Sequence, residues 1–280
     1  MPVTSAHFIY LSDFLRKESG ISLNESKLYL IRTRLLPLVK DHGFESLNTL
    51  IDAIKRNERG ELARLVIDKM TTNETLFFRD AYPFEVLKKH LFPKLLQQKQ
   101  SFAKIKIWSA ASSTGQEATS IAISAMNQIP NAANRVKIIG TDLSPEAIRY
   151  AKAATYKQME VQRGLPIQDL VKYFKQVDEH AWQVNDALRS MIHFQEANLI
   201  APTLIGTLRH YSPFDIVFCR NVLIYFDVEQ RKEVIDQIAQ LTDIGGYLFT
   251  GAGEMVEGKK SKWETVRLEN RPVWRLVSRN

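Results

Sequence analysis

Two rhythms of apolar and polar residues divide the chain. Over residues 1–75 apolar side chains recur every three or four positions, a spacing typical of amphipathic helices. The clearest stripe runs from Leu28 to Leu38 and predicts a helix that is capped by Asn24 and ends near Lys40. Basic residues lie on the other side of this helix: Lys27, Arg32, Arg34 and Lys40. The sequence therefore predicts an all-α N-terminal domain over residues 1–75, followed by a linker over residues 76–103.

From about Lys104 short β-rich runs alternate with helical stretches. Strands are predicted over residues 105–108, 136–140, 215–219, 247–250 and 273–277. This alternation predicts an α/β fold with a mostly parallel sheet, in which ligands bind at the carboxyl ends of the strands. Residues 169–196 interrupt the alternation. Their short runs over 181–184 and 191–194 predict a small antiparallel β-subdomain inserted into a domain that covers residues 104–280.

The composition excludes several classes of protein but does not identify the reaction or the partner. Cys219 is the single cysteine among 280 residues, which excludes an intramolecular disulfide and a multi-cysteine zinc site. No apolar run approaches the ~20 residues of a membrane span, and the N-terminus lacks the pattern of a signal peptide. We therefore expect a cytoplasmic protein without membrane insertion, and a monomer, since no coiled-coil or large apolar stripe is present. The net charge of +7 favours an anionic partner without identifying it.

The loops after the first two strands carry candidate binding residues. The first loop passes through small residues to Gly115 and ends in Glu117, and it matches neither the dinucleotide-binding nor the P-loop glycine pattern. Glu117 suits a cationic ligand group, although its spacing from Thr114 also matches a capping box that only begins the next helix. Asp142 ends the second strand, where a carboxylate can accept from both hydroxyls of a ribose; the alternative is a solvated turn residue.

Three further places suit a ligand. Asn198-Leu199 and Asn221-Val222 each pair an amide with an apolar neighbour, an arrangement suited to an adenine ring, although an ordinary loop explains each pair equally well. Before the sheet, residues 70–79 place polar donors and two aromatic residues beside Arg79. A guanidinium there is suited to bind an anion.

Three segments stand out as motifs: Thr72-Asn73-Glu74-Thr75-Leu76-Phe77-Phe78-Arg79, Ser112-Ser113-Thr114-Gly115-Gln116-Glu117, and Phe218-Cys219-Arg220-Asn221-Val222-Leu223-Ile224-Tyr225-Phe226. Together they resemble the CheR-type chemoreceptor glutamate methyltransferases. The resemblance implies a class I S-adenosylmethionine-dependent methyltransferase fold, which is Rossmann-like. It also implies the helical N-terminal domain and a small antiparallel β-subdomain inserted before the fourth strand.

The same resemblance implies the chemistry. S-Adenosyl-L-methionine would be the methyl donor and S-adenosyl-L-homocysteine the product, with no metal. The acceptors would be glutamate γ-carboxylates on the cytoplasmic helical domain of chemoreceptors, for adaptation in chemotaxis. The cofactor pocket implied by the motifs comprises Asn73, Thr75, Arg79, Glu117, Asp142, Asn198, Leu199, Asn221 and Val222.

The chain departs from the family pattern at two places. The family loop usually reads Gly-Glu-Glu-Pro-Tyr-Ser, and here Gln116 replaces the first glutamate while Glu117 keeps the second. Family members that dock on a receptor's C-terminal pentapeptide share a glycine-containing extension of the β-subdomain loop. The corresponding residues 173–182 contain no glycine. We therefore expect an enzyme that does not depend on the pentapeptide.

The expected mechanism needs positioning more than proton transfer. A receptor glutamate with a pKa near ~4.3 is already ionised at pH 7, so it needs no general base. Arg79 is the candidate for holding this carboxylate, and the hydroxyl of Tyr225 is a second catalytic candidate, with core packing as its alternative. The basic helix over residues 27–40 is the candidate docking surface for an anionic receptor bundle, or else a solvated face.

Two other functions compete with this interpretation. A methyltransferase acting on nucleic-acid amino groups usually carries an Asn/Asp-Pro-Pro-aromatic motif after its fourth strand. The chain instead reads Arg220-Asn221-Val222-Leu223, so no nucleic-acid partner is expected. A non-catalytic, S-adenosylmethionine-binding receptor adaptor stays open because of Gln116.

Overall fold

A computed structural model describes residues 3–256 and 262–279. The chain divides into two compact units. One consists of Met1–Thr72 together with Ile224–Gln230, and the other of Asn73–Leu223 together with Arg231–Asn280.

Within the described residues, none of the helices combines the length and the apolar character that a membrane crossing requires.

The first unit is helical. Its helices before residue 73 are α1 (Ser5–Ser19), α2 (Leu28–Asp41), α3 (Leu47–Arg56) and α4 (Glu61–Met70). The apolar stripes predicted from the sequence meet in one core that includes Leu11, Leu35 and Leu50. The predicted cap at Asn24 is wrong. A short 3-10 turn over Glu25–Lys27 precedes α2, and the Asn24 Oδ1 atom accepts a hydrogen bond from the Ser26 hydroxyl instead of a helix N–H group.

Arg34 has a structural role inside this unit. Its Nη1 atom donates to the carbonyl oxygens of Met70 and Thr71 at 2.6 and 2.9 Å, and its Nη2 atom donates to the Thr72 hydroxyl at 2.9 Å. These bonds satisfy carbonyl groups that the end of α4 would otherwise leave without partners. Arg32 on the same helix is exposed. Arg34 therefore does not belong to the exposed basic face of α2, which carries fewer charges than the sequence predicts.

The segment expected to be a linker is largely helical. It contains α5 (Tyr82–Val86), one π-helical turn over Leu87–Leu91, and α6 (Phe92–Gln98). Phe84, Leu87 and Leu91 are buried in the core of the second unit. Their spacing is helical. The prolines that seemed to interrupt it stand at the first positions of α5 and α6, where a missing N–H group is tolerated.

A seven-stranded sheet forms the frame of the second unit. Its strands, in spatial order, are β6 (Ile192–Glu196), β2 (Val136–Asp142), β1 (Ile105–Ala110), β7 (Phe214–Cys219), β8 (Thr242–Thr250), β10 (Arg271–Leu276) and β9 (Trp263–Leu268). The first five are parallel and the last two antiparallel. The remaining helices are α7 (Gln116–Gln128), α8 (Ala132–Arg135), α9 (Pro145–Ala153), α10 (Gln158–Val161), α11 (Ile167–Tyr173), α12 (Asp186–Arg189), α13 (Leu204–Leu208) and α14 (Val228–Leu241).

The order of the strands places a crevice between β1 and β7. The chain runs outward from β1 to β2 and β6 on one side, and then continues through β7 and β8 on the other. Open parallel sheets bind their ligands where the order reverses in this way, outside the carboxyl ends of the strands. The register puts Ala110 beside both Thr141 and Cys219, so the loops after β1, β2 and β7 begin at the same edge.

The small antiparallel sheet differs from the prediction in its membership. It consists of β3 (Thr155–Lys157), β5 (Ala181–Val184) and β4 (Phe174–Asp178). The assignment of residues 191–194 to this sheet is wrong, because β6 pairs in parallel with β2 in the large sheet. The insertion therefore precedes the third strand of the large sheet along the chain, not the fourth. An edge strand that is only half buried has the same alternating pattern as an antiparallel strand, which explains the error.

We expect Gly164→Ala to destabilise the second unit. Gly164 has φ +88°, and a Cβ atom there would overlap the carbonyl oxygen of Phe77. A left-handed alanine alone costs about 1–2 kcal/mol, and the overlap adds to this. Gly206→Ala is the matched control, because a Cβ atom at Gly206 meets nothing within 4 Å. Urea unfolding should show a lower midpoint for the first variant only; equal midpoints would contradict the close approach.

Candidate active site at the carboxyl ends of the strands

Backbone strain concentrates around the crevice. Six of the ten non-glycine residues with left-handed φ among those described lie in three loops: Phe78, Asp80 and Ala81 before α5, Ala111 and Ser113 after β1, and Asn221 after β7. Such conformations cost about 1–3 kcal/mol each and persist where surrounding contacts impose them, most often at functional sites. The strain therefore marks the same edge of the sheet as the strand order does.

The loop after β1 begins α7 without a side-chain cap. Gly115, at φ 94°, is the residue before the helix, and the Thr114 hydroxyl donates to the side chain of Gln116 at 2.8 Å. The predicted capping box of Thr114 and Glu117 is therefore wrong. Glu117 faces the interior instead, where it binds Ser109 and Arg220, so capping does not explain it.

Glu117 is a mostly buried carboxylate, 12% exposed, that is held by two partners. Its Oε1 atom accepts a hydrogen bond from the Ser109 hydroxyl at 2.8 Å, and its Oε2 atom accepts one from Nη1 of Arg220 at 2.9 Å. Burial raises the pKa of Glu117, while the charge of Arg220, the hydrogen bonds and the charge of Arg79 act in the opposite direction. The ionised form thus depends on its two arginine neighbours.

Asp142 joins two loops through its carboxylate. Its Oδ2 atom accepts the backbone N–H of Ser113 at 2.8 Å, and its Oδ1 atom accepts that of Ser144 at 3.0 Å. The carbonyl oxygen of Asp142 accepts the N–H of Ala197 at 2.9 Å, which connects β2 to the loop that carries Asn198. Asp142 is buried, so the alternative of a solvated turn residue is wrong.

The two predicted amide pairs occupy different positions at this edge. The backbone N–H of Asn221 donates to Oε2 of the buried Glu254 at 2.9 Å, and Val222 is half-buried beside it. Asn198 accepts the N–H of Ile200 at 3.2 Å, and Leu199 is buried. Each pair therefore combines a held amide residue with an apolar side chain.

The segment from Asn73 to Arg79 reaches the same loops. Its anchor is the Ser113 hydroxyl, which donates to the carbonyl oxygen of Asn73 at 2.7 Å. The Nη1 atom of Arg79 donates to the carbonyl oxygen of Glu74 at 3.3 Å, and both Arg79 and Thr75 are half-buried. Hydrogen bonds thus connect the segment of Arg79 to the loop of Ser113 and, through it, to Asp142.

The sequence motifs did not single out Arg220, although it occupies the middle of this arrangement. Its side chain is 2% exposed and binds Glu117 and Asp80 as ion pairs. A signal was available: a charged residue that directly follows six buried strand residues has to be paired, because an unpaired buried charge is very unfavourable.

Tyr225 belongs to the other compact unit. It ends a short 3-10 turn over Leu223–Tyr225, and its carbonyl oxygen accepts the backbone N–H of Ser22 at 3.1 Å. Its hydroxyl remains a predicted catalytic group.

The departure at Gln116 has a local physical reason. Gln116 is buried, and its Nε2 atom donates to Oε1 of Glu160 at 3.2 Å. The other oxygen of Glu160 accepts the hydroxyl of Tyr150 at 2.6 Å and the backbone N–H of Lys157 at 2.8 Å. A glutamate at position 116 would place two carboxylates together, whereas the amide donates to the one that is present.

Comparison with known proteins gives matches over most of the chain. Residues 73–271 match the family model described as CheR methyltransferase, SAM binding domain, and residues 6–71 match CheR methyltransferase, all-alpha domain. The chemotaxis protein methyltransferase Cher2 of Pseudomonas putida is 38% identical over 91% of this chain and 92% of its own length. Chemotaxis protein methyltransferase 1 of Pseudomonas aeruginosa is 37% identical over 98% of this chain and 99% of its own length.

We expect Gln116→Glu to destabilise the second unit in a pH-dependent way. The new carboxyl group would face Glu160, and two adjacent carboxylates raise the pKa of one of them. Because a folded-state pKa above the unfolded value favours folding at low pH, the loss in melting temperature should be larger at pH 8 than at pH 5. The double variant Gln116→Glu/Glu160→Gln should recover stability. A single variant as stable as the wild type at pH 8 would refute the pairing.

Proposed function

The chain belongs to the CheR methyltransferase family, and from this premise we propose that it methylates the γ-carboxylate of glutamates on the cytoplasmic helical domain of chemoreceptors. It is an S-adenosylmethionine-dependent methyltransferase of chemotaxis with a Rossmann-like methyltransferase fold. The observation that carries the proposal is the crevice between β1 and β7, where Glu117, Asp142 and the Arg79 segment are joined by hydrogen bonds.

The residues at this edge fit S-adenosylmethionine. Glu117 would hold the cationic amino end of the methyl donor, since a carboxylate that is only 12% exposed is stabilised by a nearby positive charge. Asp142 would accept from the ribose hydroxyls at the end of β2. The pairs Asn198-Leu199 and Asn221-Val222 would enclose the adenine, and Asn73 and Thr75 would close the pocket from the preceding segment.

The reaction then requires alignment. When bound, S-adenosylmethionine supplies an electrophilic methyl group on a sulfonium, and S-adenosylhomocysteine is the product. The acceptor, a receptor carboxylate that is already ionised at pH 7, would take this methyl group without any residue of this chain having to remove a proton. Arg79 would hold the other carboxylate oxygen with its fork of N–H donors. Tyr225 stays the second predicted catalytic residue. Correct alignment of the acceptor carboxylate is worth about 7–11 kcal/mol of the barrier.

The exposed side of α2 is the proposed receptor-docking surface. It presents the cationic residues Arg32 and Lys40 together with two apolar side chains, Tyr29 and Leu36, which are 62% and 39% exposed. Positive charge beside exposed aromatic and aliphatic groups suits a glutamate-rich helical bundle. Arg34 is excluded from this surface because its guanidinium closes the end of α4.

The proposal extends to the mode of docking. Two residues, Glu179 and His180, connect β4 to β5, so the hairpin has no extension and no glycine. This supports an enzyme that works without the receptor's C-terminal pentapeptide, and we further propose that it acts as a cytoplasmic monomer. The adaptor hypothesis rested on Gln116, and the hydrogen bond from Gln116 to Glu160 gives that residue a structural role in the second unit.

We expect the wild-type protein to transfer tritiated methyl groups from S-adenosylmethionine to membranes that carry chemoreceptors, with release of methanol in base. The counts should be similar on receptors with and without the pentapeptide. Arg79→Ala should lose about 100-fold or more in rate because the acceptor carboxylate is no longer held, whereas Arg189→Ala, an exposed arginine at the end of α12, should not. Counts that are stable to base would refute carboxyl methylation; counts only with the pentapeptide would refute tether independence alone.

We expect Arg32→Glu to weaken receptor binding. The KM for receptor should rise by about tenfold at low ionic strength, because the docking surface then repels an anionic partner, and the difference should shrink as salt screens it. The Kd for S-adenosylmethionine should be unchanged. Arg56→Glu provides the same change of charge on the exposed end of α3. An equal effect of both substitutions would indicate a general charge effect and contradict a docking role for α2.

A further inference from the structure

Arg220 connects three segments that the proposed reaction uses. It follows β7 directly, and its Nη1 atom donates to Glu117 at 2.9 Å. Its Nη2 atom donates to the carbonyl oxygen of Arg79 at 2.9 Å and to Oδ2 of Asp80 at 2.6 Å. The planar fork of a guanidinium keeps these donors in a fixed mutual orientation. The position of Glu117 is therefore tied to the position of the Arg79 backbone.

The segment around Arg79 needs such a restraint. Phe78, Asp80 and Ala81 have φ of 50°, 65° and 43°, which non-glycine residues rarely adopt. Two of the donors of Arg220 end within this turn, one on its backbone and one on the Asp80 carboxylate. The backbone N–H of Phe78 donates to the hydroxyl of Ser120 on α7 at 2.9 Å, which provides a second restraint. The direction of the Arg79 side chain thus depends on bonds made from β7 and α7.

Charge balance points to the same residue. One buried guanidinium faces two carboxylates, Glu117 and Asp80, whose side chains are 12% and 39% exposed. Removing one member of such a buried pair leaves an uncompensated charge, which is strongly unfavourable. For Glu117 the consequence is specific: burial already raises its pKa, and Arg220 is the largest influence that lowers it.

We propose that Arg220 is a positioning residue that holds the acceptor-binding segment of Arg79 and the donor-binding carboxylate Glu117 as one unit. Methyl donor and receptor carboxylate would then be aligned by a single side chain that touches neither. This inference rests on the proposed function for the roles of Arg79 and Glu117. It predicts two separable effects of substitution, one on turnover through Arg79 and one on cofactor binding through Glu117.

Three variants separate these effects. Arg220→Lys keeps one charge but loses the fork, so it should bind S-adenosylmethionine within about threefold of wild type at pH 8 and lose about 100-fold in kcat. Asp80→Asn keeps the pair of Arg220 and Glu117, so it should lower kcat without changing cofactor Kd. Arg220→Gln should weaken cofactor binding by about tenfold or more at pH 7, because the Glu117 carboxylate loses the guanidinium that favours its ionised form. Arg189→Lys is the matched control.

The pH dependence of cofactor binding is the measurement that a merely structural role would not change. Calorimetric titrations of the full chain with S-adenosylmethionine between pH 5 and pH 8 report the ionisation of Glu117. Removing the guanidinium raises the pKa of Glu117 further, so the pH midpoint for binding should move upward in Arg220→Gln and stay at the wild-type value in Asp80→Asn and Arg189→Lys. Melting temperatures establish that each variant is folded.

Two results would overturn the proposal. One is Arg220→Lys with kcat within threefold of wild type, since the fork would then be dispensable. The other is a parallel loss of kcat and cofactor affinity in all Arg220 and Asp80 variants at an unchanged pH midpoint, which is the signature of a damaged fold. If the wild type binds S-adenosylmethionine but methylates no receptor, the proposed function fails, while the pH midpoint still decides the link between Arg220 and Glu117.

Discussion

The pairing of buried charges at one edge of the sheet is the constraint on which the candidate site depends. Strands β1, β2 and β7 are almost entirely buried, so polar side chains concentrate where these strands end. In that low-dielectric setting burial raises the pKa of Glu117 and Arg220 opposes this shift, while Arg220 itself requires acceptors to be buried. The pair therefore determines the course of the loop after β7, the start of α7 and the turn at Asp80 together.

The sequence predicts most of the fold because hydrophobic period and strand–helix alternation are local signals. The helices before residue 73 and the parallel strands β1, β2 and β7 lie where the pattern places them. The errors at β6 and in the expected linker share one cause, which is that strand pairing and side-chain packing are not local. Strand β6 has an ordinary alternating pattern, and only its hydrogen bonds to β2 distinguish it from a strand of the small sheet. The prolines in the first turns of α5 and α6 were likewise ambiguous, and only the packing of Phe84 and Leu91 resolves them.

The sequence predicted those residues of the candidate site that follow directly from the position of a strand end. Glu117, Asp142 and Asn221 were singled out because each follows a strand, and the structure brings their loops to one edge. What sequence position did not reveal is which side chains hold others in place. Arg220 directly follows β7, yet its importance appears only when Asp80 and Glu117 are seen on either side of it. Gln116 looked like a lost carboxylate until Glu160 was found opposite its amide.

Net charge says little about partners, because some charged side chains hold other groups in place inside the protein. A charge of +7 suggests a broad attraction for anions. Some arginines of this chain, however, form hydrogen bonds and ion pairs inside the protein, whereas others are exposed. Arg34 donates hydrogen bonds to carbonyl oxygens at the end of α4, and Arg220 forms ion pairs with Glu117 and Asp80. Neither is available to steer a receptor, whereas Arg32 on the exposed side of α2 is. Because long-range attraction depends on charges that remain solvated, the docking surface has to be identified from the hydrogen bonds inside the protein and not from a count of basic residues.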